Sequence, residues 1–142
     1  NLNSLLNDVL RFVDAECRSH KIKIVKQFQE DLPEILVDAN QIKQVMLNLI
    51  LNANQAMLNG GTLTISTSLT KETICIVVQD TGIGISEAQK PRIFDLFYST
   101  KPAGTGLGLP IVQKTIHDHD GKIKIDSQPN KGTVVRIVLP VK

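Results

Sequence analysis

The hydrophobic positions of this chain change spacing several times, and the changes predict alternating helices and strands. Spacings of three and four residues predict three main helices, at residues 3–19, 39–59 and 108–118. Alternation predicts strands at residues 21–28, 63–69, 74–79, 122–127 and 132–139, and a short apolar run predicts another at 35–37. This order favours an α/β fold of the two-layer α+β type, in which one mixed sheet carries its helices on a single face.

Turn and cap residues separate these elements. Asp38 is an N-cap candidate for the second helix, and a pair of glycines follows the end of that helix. A Ser-x-x-Gln capping box predicts a short helix over residues 86–94, and an abundance of Ser, Thr, Gly and Pro predicts an exposed loop over 98–106. Neither a repeat nor an internal boundary is recognisable, so residues 1–142 are expected to form a single domain.

Composition and charge exclude several classes of protein. The 142 residues are 42% hydrophobic and 21% charged, as expected of a globular domain. The net charge of +2 and the scattered basic residues give no indication of a nucleic-acid partner. No apolar stretch reaches the roughly 18 residues that a membrane span needs, so direct membrane contact is not expected. Cys17 and Cys75 lack metal-ligand spacing, and Cys75 is predicted to be a buried thiol, which fits a cytoplasmic location.

A stripe of side-chain amides on the second helix is the first indication of chemistry. Asn48 and Asn52 are four residues apart and therefore lie on the same side of the helix. The whole stripe comprises Gln41, Gln44, Asn48, Asn52, Gln55 and Asn59. One interpretation is a solvated helix face, although surface helices usually carry Lys and Glu. The other is a polar but nearly neutral neighbour such as a magnesium–phosphate group, because a hard cation takes carbonyl oxygens as ligands.

Two glycine-rich segments suggest a nucleotide site. Residues 80–85, Asp-Thr-Gly-Ile-Gly-Ile, are either a plain turn or a carboxylate placed to accept a hydrogen bond from a base amine. Residues 104–109, Gly-Thr-Gly-Leu-Gly-Leu, open a helix and are either a hinge or a phosphate cradle. Lys101 is either an ordinary surface lysine or a flexible charge that reaches phosphate oxygens. The chain has neither the G-x-G-x-x-G dinucleotide fingerprint nor a P-loop.

Together, these segments resemble the histidine-kinase branch of the GHKL ATPases, a superfamily that also includes gyrase, Hsp90 and MutL. Residues 48–53 resemble the N box of that family, 80–85 the G1 box, 94–97 the F box and 104–109 the G2 box. Residues 131–133, Lys-Gly-Thr, stand at the place of the last glycine box. Asn130 replaces the first glycine of that box, and asparagine tolerates left-handed backbone. The resemblance implies a Bergerat fold, with a mixed five-stranded sheet and three helices on one side.

The resemblance also implies roles for individual residues. Asn52 would be the main protein ligand of Mg²⁺, Asn48 would support the metal or the phosphates, and Asp80 would bind the adenine amine of ATP. Lys101 would approach the terminal phosphate and, with Asn48, serve catalysis. The other contacts to ATP would come from Gly82, Gly84, Gly104, Thr105, Gly106, Leu107, Gly108 and Thr133.

The reaction that the resemblance implies is phosphoryl transfer from ATP to a histidine. In the ATPase branches, a glutamate four residues before the metal-binding asparagine activates water, whereas Asn48 at that position cannot act as a general base. None of His20, His117 and His119 fits the family's acceptor, and all three are assigned to surface or helix-end polarity. A histidine-bearing dimerisation hairpin is therefore expected N-terminal to residue 1, with a response-regulator receiver domain downstream in signalling. An ATP-driven conformational machine and an anti-sigma-type serine kinase are the alternatives.

Overall fold

The computed structural model of the protein describes residues 2–57, 59–84 and 108–141. Its helices are α1 (Leu2–Ser19), α2 (Ala39–Ala56) and α3 (Gly108–Asp118). Its strands are β1 (Ile22–Phe28), β2 (Gly61–Thr70), β3 (Thr73–Asp80), β4 (Lys122–Gln128) and β5 (Gly132–Pro140). Each of these elements was predicted from the sequence, with ends that differ by at most a few residues.

The strands of the described residues form one mixed, five-stranded sheet in the order β1-β2-β3-β5-β4. β1 and β2 run parallel, with α2 in the connection between them, and the other neighbouring pairs are antiparallel. A short turn joins β2 to β3, with Lys71 in the left-handed region at φ 54°. The register places Asp80, at the end of β3, opposite Thr133, near the start of β5. The predicted fold class is therefore confirmed.

The core lies between the helices and one face of the sheet. α1 packs against β1, α2 against β3 and α3 against β4, and α2 also contacts both other helices. Burial alternates along β3, as expected of a sheet that is covered on one side. Side chains that are almost completely buried include Leu6, Met46, Ile50, Ile65, Ile76 and Ile137. This packing holds α2 in the middle of the helical layer.

The two ends of α2 are defined by the chain itself. Asp38 is the N-cap of α2, as predicted, since its side chain accepts a hydrogen bond from the Gln41 N–H at 3.1 Å. The helix ends at Ala56, earlier than predicted, because the backbone leaves the helical region at Met57 (φ −122°, ψ 45°). Asn59, which was counted in the amide stripe, therefore lies beyond the helix.

The strand predicted at residues 35–37 was wrong. This segment pairs with no strand of the described residues and leads directly into α2. Leu36 is 93% exposed, whereas Ile35 and Val37 pack against the core. The burial alternates because Ile35 and Val37 each pack against the core. A period-two pattern can therefore occur without hydrogen bonds to a neighbouring strand.

The prediction for the cysteines was also wrong in part. Cys75 is only partly buried because it faces the less covered side of the sheet, whereas Cys17 on α1 is buried. A strand covered on one face buries only every second residue, so a continuous apolar run overstates its burial. The predicted helix at 86–94 and loop at 98–106 lie outside the described residues.

Candidate functional site

A shallow pocket opens at one end of the sheet, where β3 ends and the chain turns from β4 into β5. Its volume is about 230 Å³. The residues that line it are Gln79, Asp80, Asp126, Ser127, Gln128, Lys131, Gly132, Thr133 and Val134. Asp80 and Thr133 share the pocket because β3 and β5 are neighbours in register.

Asp80 is the buried acid of this pocket, with only 7% of its surface exposed. Its Oδ1 accepts a hydrogen bond from the Gly82 N–H at 2.9 Å, which closes a tight turn directly after β3. The turn interpretation of Asp80 is therefore confirmed. It does not exclude a second role, since a carboxylate offers about four acceptor positions and this one also lines the pocket.

Two hydroxyl groups lie side by side in the same pocket. Ser127 Oγ donates to the Gly132 carbonyl at 3.0 Å and lies 2.9 Å from Thr133 Oγ1. Since a hydroxyl has one hydrogen, the Thr133 hydroxyl is the donor of the second bond. Ser127 was not singled out from the sequence. Its place opposite Thr133 in the β4–β5 register is the signal that could have identified it.

Two glycines let the backbone segments around the pocket approach closely. Gly84 has φ 73°, and a Cβ there would lie 2.8 Å from the Gln128 carbonyl carbon and still nearer to its oxygen. Gly132 has φ 96°, and a Cβ there would lie 3.0 Å from the Asp80 carbonyl carbon. Asn130, which replaces a glycine of the resembled motif, adopts the left-handed backbone expected of it, at φ 63°.

The turn after β3 is also joined to the end of α2. Ile83 donates its N–H to the Ala56 carbonyl at 3.1 Å and accepts from the Asn130 N–H at 2.6 Å. A glycine at position 82 makes the bond between Ile83 and Ala56 possible, since a Cβ there would lie 2.8 Å from the Ala56 carbonyl carbon. The segment that carries Gly82 and Gly84 is thereby held between α2 and the β4–β5 turn.

The amide pair lies on α2. Asn48 and Asn52 are half-buried, whereas Gln41, Gln44 and Gln55 of the same stripe are exposed. Gln44 Nε2 donates to Asn48 Oδ1 across one helical turn, at 3.4 Å. The two asparagines are therefore the members of the stripe that the fold shelters, and solvation alone does not explain them.

A buried amide on α2, Asn54, was not identified from the sequence. It is 1% exposed, and Cys17 Sγ of α1 donates to its Oδ1 at 3.4 Å. Burial, partly offset by this hydrogen bond, raises the pKa of the Cys17 thiol. Asn54 thus joins α2 to α1, on a different side of the helix from Asn52.

Most of the predicted phosphate-binding residues lie outside the described residues; these are Lys101, Gly104, Thr105, Gly106 and Leu107. Gly108, the last glycine of the motif, is the first residue of α3, so the helix begins where the sequence predicted. The N-terminus of a helix offers N–H groups to phosphate oxygens.

Residues 37–142 match the family described as histidine kinase-, DNA gyrase B-, and HSP90-like ATPase. The chain belongs to this family. It is 44% identical over 142 residues to sporulation kinase C of Bacillus subtilis (strain 168), covering 99% of this chain and 33% of that protein. It also resembles the catalytic domain of the histidine kinase ThkA, with a TM-score of 0.88 and 33% identity over 99% of this chain and 92% of that one. Full-length ShkA in complex with AMPPNP gives a TM-score of 0.89 at 26% identity, over 99% of this chain and 30% of that one.

These similarities identify the chain as an ATP-binding catalytic domain of the sensor histidine kinase type, in agreement with the motifs of the sequence. The domain spans about a third of the length of the sporulation kinase that it matches. In the described part of the chain, no helix has the length and apolar character that would let it cross a membrane.

Magnesium fits the donors that this histidine kinase-type domain offers. Among residues 2–57, 59–84 and 108–141, no group of three or more His, Cys, Asp or Glu side chains could hold a metal ion. The half-buried amides of Asn48 and Asn52 on α2 offer carbonyl oxygens of the kind that a hard cation takes as ligands. Mg²⁺ is commonly bound through few protein ligands and the phosphates of a substrate.

Proposed function

We propose that this domain binds Mg-ATP and transfers its terminal phosphoryl group to a histidine on a separate helical hairpin of the parent kinase, in two-component signalling. The observation that carries the proposal is the link between two halves of one site. Asp80 and Thr133 line a pocket at the end of the sheet, and the asparagine pair lies on α2. The hydrogen bond from Ile83 to Ala56 joins the two halves.

In this proposal the adenine ring lies in the pocket beside Asp80. The carboxylate accepts a hydrogen bond from the exocyclic amine of adenine while its Oδ1 continues to hold the Gly82 N–H. Gly82 and Gly84 let the segment after Asp80 lie close to Ala56 and Gln128, and Thr133 lines the same pocket as Asp80.

The phosphates extend from this pocket toward α2 and the N-terminus of α3. Asn52, supported by Asn48, would hold Mg²⁺ through its amide oxygen, and Gly108 would present the first turn of α3 to phosphate oxygens. Bound Mg²⁺ neutralises charge on the phosphate oxygens. The family resemblance adds backbone contacts from residues 104–107 and a charge contact from Lys101 to the terminal phosphate.

Transfer to a protein is favoured over hydrolysis because α2 offers no group that could activate water. Residues 39–56 contain no Asp or Glu, and the amide of Asn48 cannot act as a general base. Phosphoryl transfer needs mainly positioning and charge neutralisation from this domain, because the acceptor brings its own nucleophile. A histidine nitrogen attacks the terminal phosphorus, the bond to the bridging oxygen breaks, and ADP leaves.

The partners follow from this reaction. Residues 1–142 act as one catalytic domain, and the helical hairpin supplies both the acceptor histidine and the dimer. A receiver domain of a response regulator then takes the phosphoryl group from the histidine. These partners are inferred from the family and from the short span of this domain relative to the matching kinase.

The metal site is tested by comparing Asn52→Ala with Gln55→Ala, an exposed amide of the same helix. Calorimetry with ATP is performed once with Mg²⁺ and once with a chelator. We expect Asn52→Ala to lower affinity at least about tenfold with Mg²⁺ and little without it, since it removes a metal ligand. Gln55→Ala should change neither value. An equal loss with and without Mg²⁺ would show that Asn52 binds no metal.

The reaction is tested with radiolabelled ATP and the helical hairpin of the parent kinase supplied as a separate protein. We expect acid-labile phosphohistidine on the hairpin and very slow hydrolysis by the domain alone. Fast hydrolysis without transfer would overturn the kinase assignment and move the function to an ATPase, while the nucleotide site would stand.

A further inference from the structure

His119, directly after α3, makes two hydrogen bonds that determine its chemical form. Its Nε2 lies 3.1 Å from the backbone nitrogen of Asp38, and its Nδ1 lies 2.8 Å from the Thr115 carbonyl. A backbone N–H can only donate, so Nε2 is the unprotonated acceptor; a carbonyl can only accept, so Nδ1 carries the hydrogen. The ring is therefore neutral and held as one tautomer. Its bond to the Thr115 carbonyl agrees with the assignment of His119 to helix-end polarity, and the bond to Asp38 adds a contact that the sequence did not predict.

The partner of His119 is the N-cap of α2, 81 residues away in the chain. Asp38 uses its carboxylate for the Gln41 N–H and its carbonyl for the Ile42 N–H. A Gln at the third helical position often bonds back to the N–H of the cap residue. Here the Asp38 N–H is taken by His119 instead of Gln41. A local bond has been replaced by one that joins two helices.

The contact between His119 and Asp38, called the joint below, lies at a similar distance from the asparagine pair on α2 and from the N-terminus of α3. α2 leaves the joint in the chain direction and α3 arrives at it, and the two helices pack against each other. Asn48 is ten residues beyond Asp38, and Gly108 is eleven residues before His119. At 1.5 Å per residue both lie about 15 Å from the joint along their helices.

We propose that neutral His119 is a positioning residue for phosphate binding. By fixing the end of α3 to the start of α2, it sets the spacing between the asparagine pair and the N-terminus of α3. This inference rests on the proposed function, because it assigns the phosphates of ATP to the gap between those two groups. His119 touches neither the nucleotide nor the metal in this account.

The joint itself is tested in the nucleotide-free protein. We expect ¹⁵N NMR to find His119 as the Nδ1–H tautomer, and hydrogen exchange to find the Asp38 amide protected. His119→Phe keeps a ring but has no acceptor, so the Asp38 amide should exchange faster. In His119→Gln the Oε1 can take the place of Nε2, so protection should return. His117→Phe, at an exposed neighbouring histidine, is the control and should change nothing. An Nε2–H tautomer, or equal protection in His119→Phe, would overturn the joint.

The positioning role is tested by comparing ATP with AMP, which lacks the outer phosphates. We expect His119→Phe to weaken Mg-ATP binding about three- to tenfold, the size of one hydrogen bond, and to leave AMP binding unchanged. His119→Gln should restore most of the loss. Equal loss for both nucleotides, or no loss for ATP, would overturn the positioning role and leave the proposed function intact. Should His119→Phe not fold, the tautomer and the His119→Gln protein decide the question. A wild-type protein that bound no ATP would instead overturn the proposed function.

Discussion

Replacing Gly84 with alanine tests the close backbone contact between the turn after β3 and the β4–β5 turn. The backbone at Gly84 has φ 73°, where an L-residue is strained by about 1–2 kcal/mol. The new Cβ would lie 2.8 Å from the Gln128 carbonyl carbon, so the two segments must also separate. The Asn130–Ile83 hydrogen bond, 2.6 Å long, spans the same gap and would be weakened.

The expected magnitude follows from these terms. Backbone strain and the loss of one hydrogen bond together amount to about 2–3 kcal/mol. Urea denaturation should show that loss in the free energy of unfolding. Because Ser127 and Gln128 line the pocket that we propose for the nucleotide, their displacement should also weaken ATP binding at least about tenfold.

Gly60→Ala is the matched control. Gly60 has φ +100°, so an alanine is strained there too, but its nearest neighbour, the Lys21 carbonyl oxygen, would be 3.1 Å from the Cβ. Gly60 does not line the pocket. Gly60→Ala should lower the free energy of unfolding by about 1–2 kcal/mol and leave ATP affinity, measured by calorimetry, unchanged. A Gly84→Ala protein that bound ATP as tightly as the wild type would refute the assignment of this backbone contact to the nucleotide site.

The remaining predictions concern the base, the cysteines and the hydroxyl pair. ATP should bind at least about tenfold more tightly than GTP, because guanine would turn a carbonyl toward the buried Asp80 carboxylate. Asp80→Asn should weaken ATP binding sharply in calorimetry, whereas Asp126→Asn, at the rim of the same pocket, should not; comparable affinities for ATP and GTP would contradict this role. Burial raises the pKa of the Cys17 thiol, so at pH 8 a smaller fraction of Cys17 is thiolate than of an exposed cysteine. When the folded protein is treated with iodoacetamide and followed by mass spectrometry, Cys75 should therefore be labelled before Cys17. Labelling of Cys17 as fast as Cys75 in the folded protein would show that Cys17 is accessible. Ser127→Ala and Thr133→Val each remove the hydrogen bond between the two side-chain hydroxyls. The loss of unfolding free energy in the double variant should therefore be about 0.5–1.5 kcal/mol smaller than the sum of the two single losses. A double loss equal to that sum would show that the two hydroxyls are not coupled.

The elements that the sequence predicted well are those with a long, regular period. The helices around Met46 and Val112 and the strands around Ile76 each bury one face, and burial of one face fixes the spacing of the apolar residues. The short run at 35–37 was misjudged because three residues cannot distinguish a strand from an irregular segment with two buried side chains.

The candidate site was predicted unevenly for a related reason. Asp80 and Thr133 belong to motifs that are visible in the chain, and the strand register brings them together. Ser127 and Asn54 were not singled out, and the bond from His119 to the start of α2 was not predicted, because each contact depends on a partner from another element. Hydrogen bonds between distant residues leave no periodic trace in the sequence, so pattern analysis cannot find them.

Three contacts between distant residues involve α2, and they help to hold the proposed site together. The start of α2 is fixed by His119, and its end by the bond from Ile83 to the Ala56 carbonyl. Between those ends, Asn54 connects α2 to α1, while Asn48 and Asn52 face the proposed phosphates. Each bond fixes one end of α2, so the loss of either bond should let that end of the helix shift relative to its neighbours. The position of the amide pair therefore depends on both bonds, which together give the proposed site its rigidity on the α2 side.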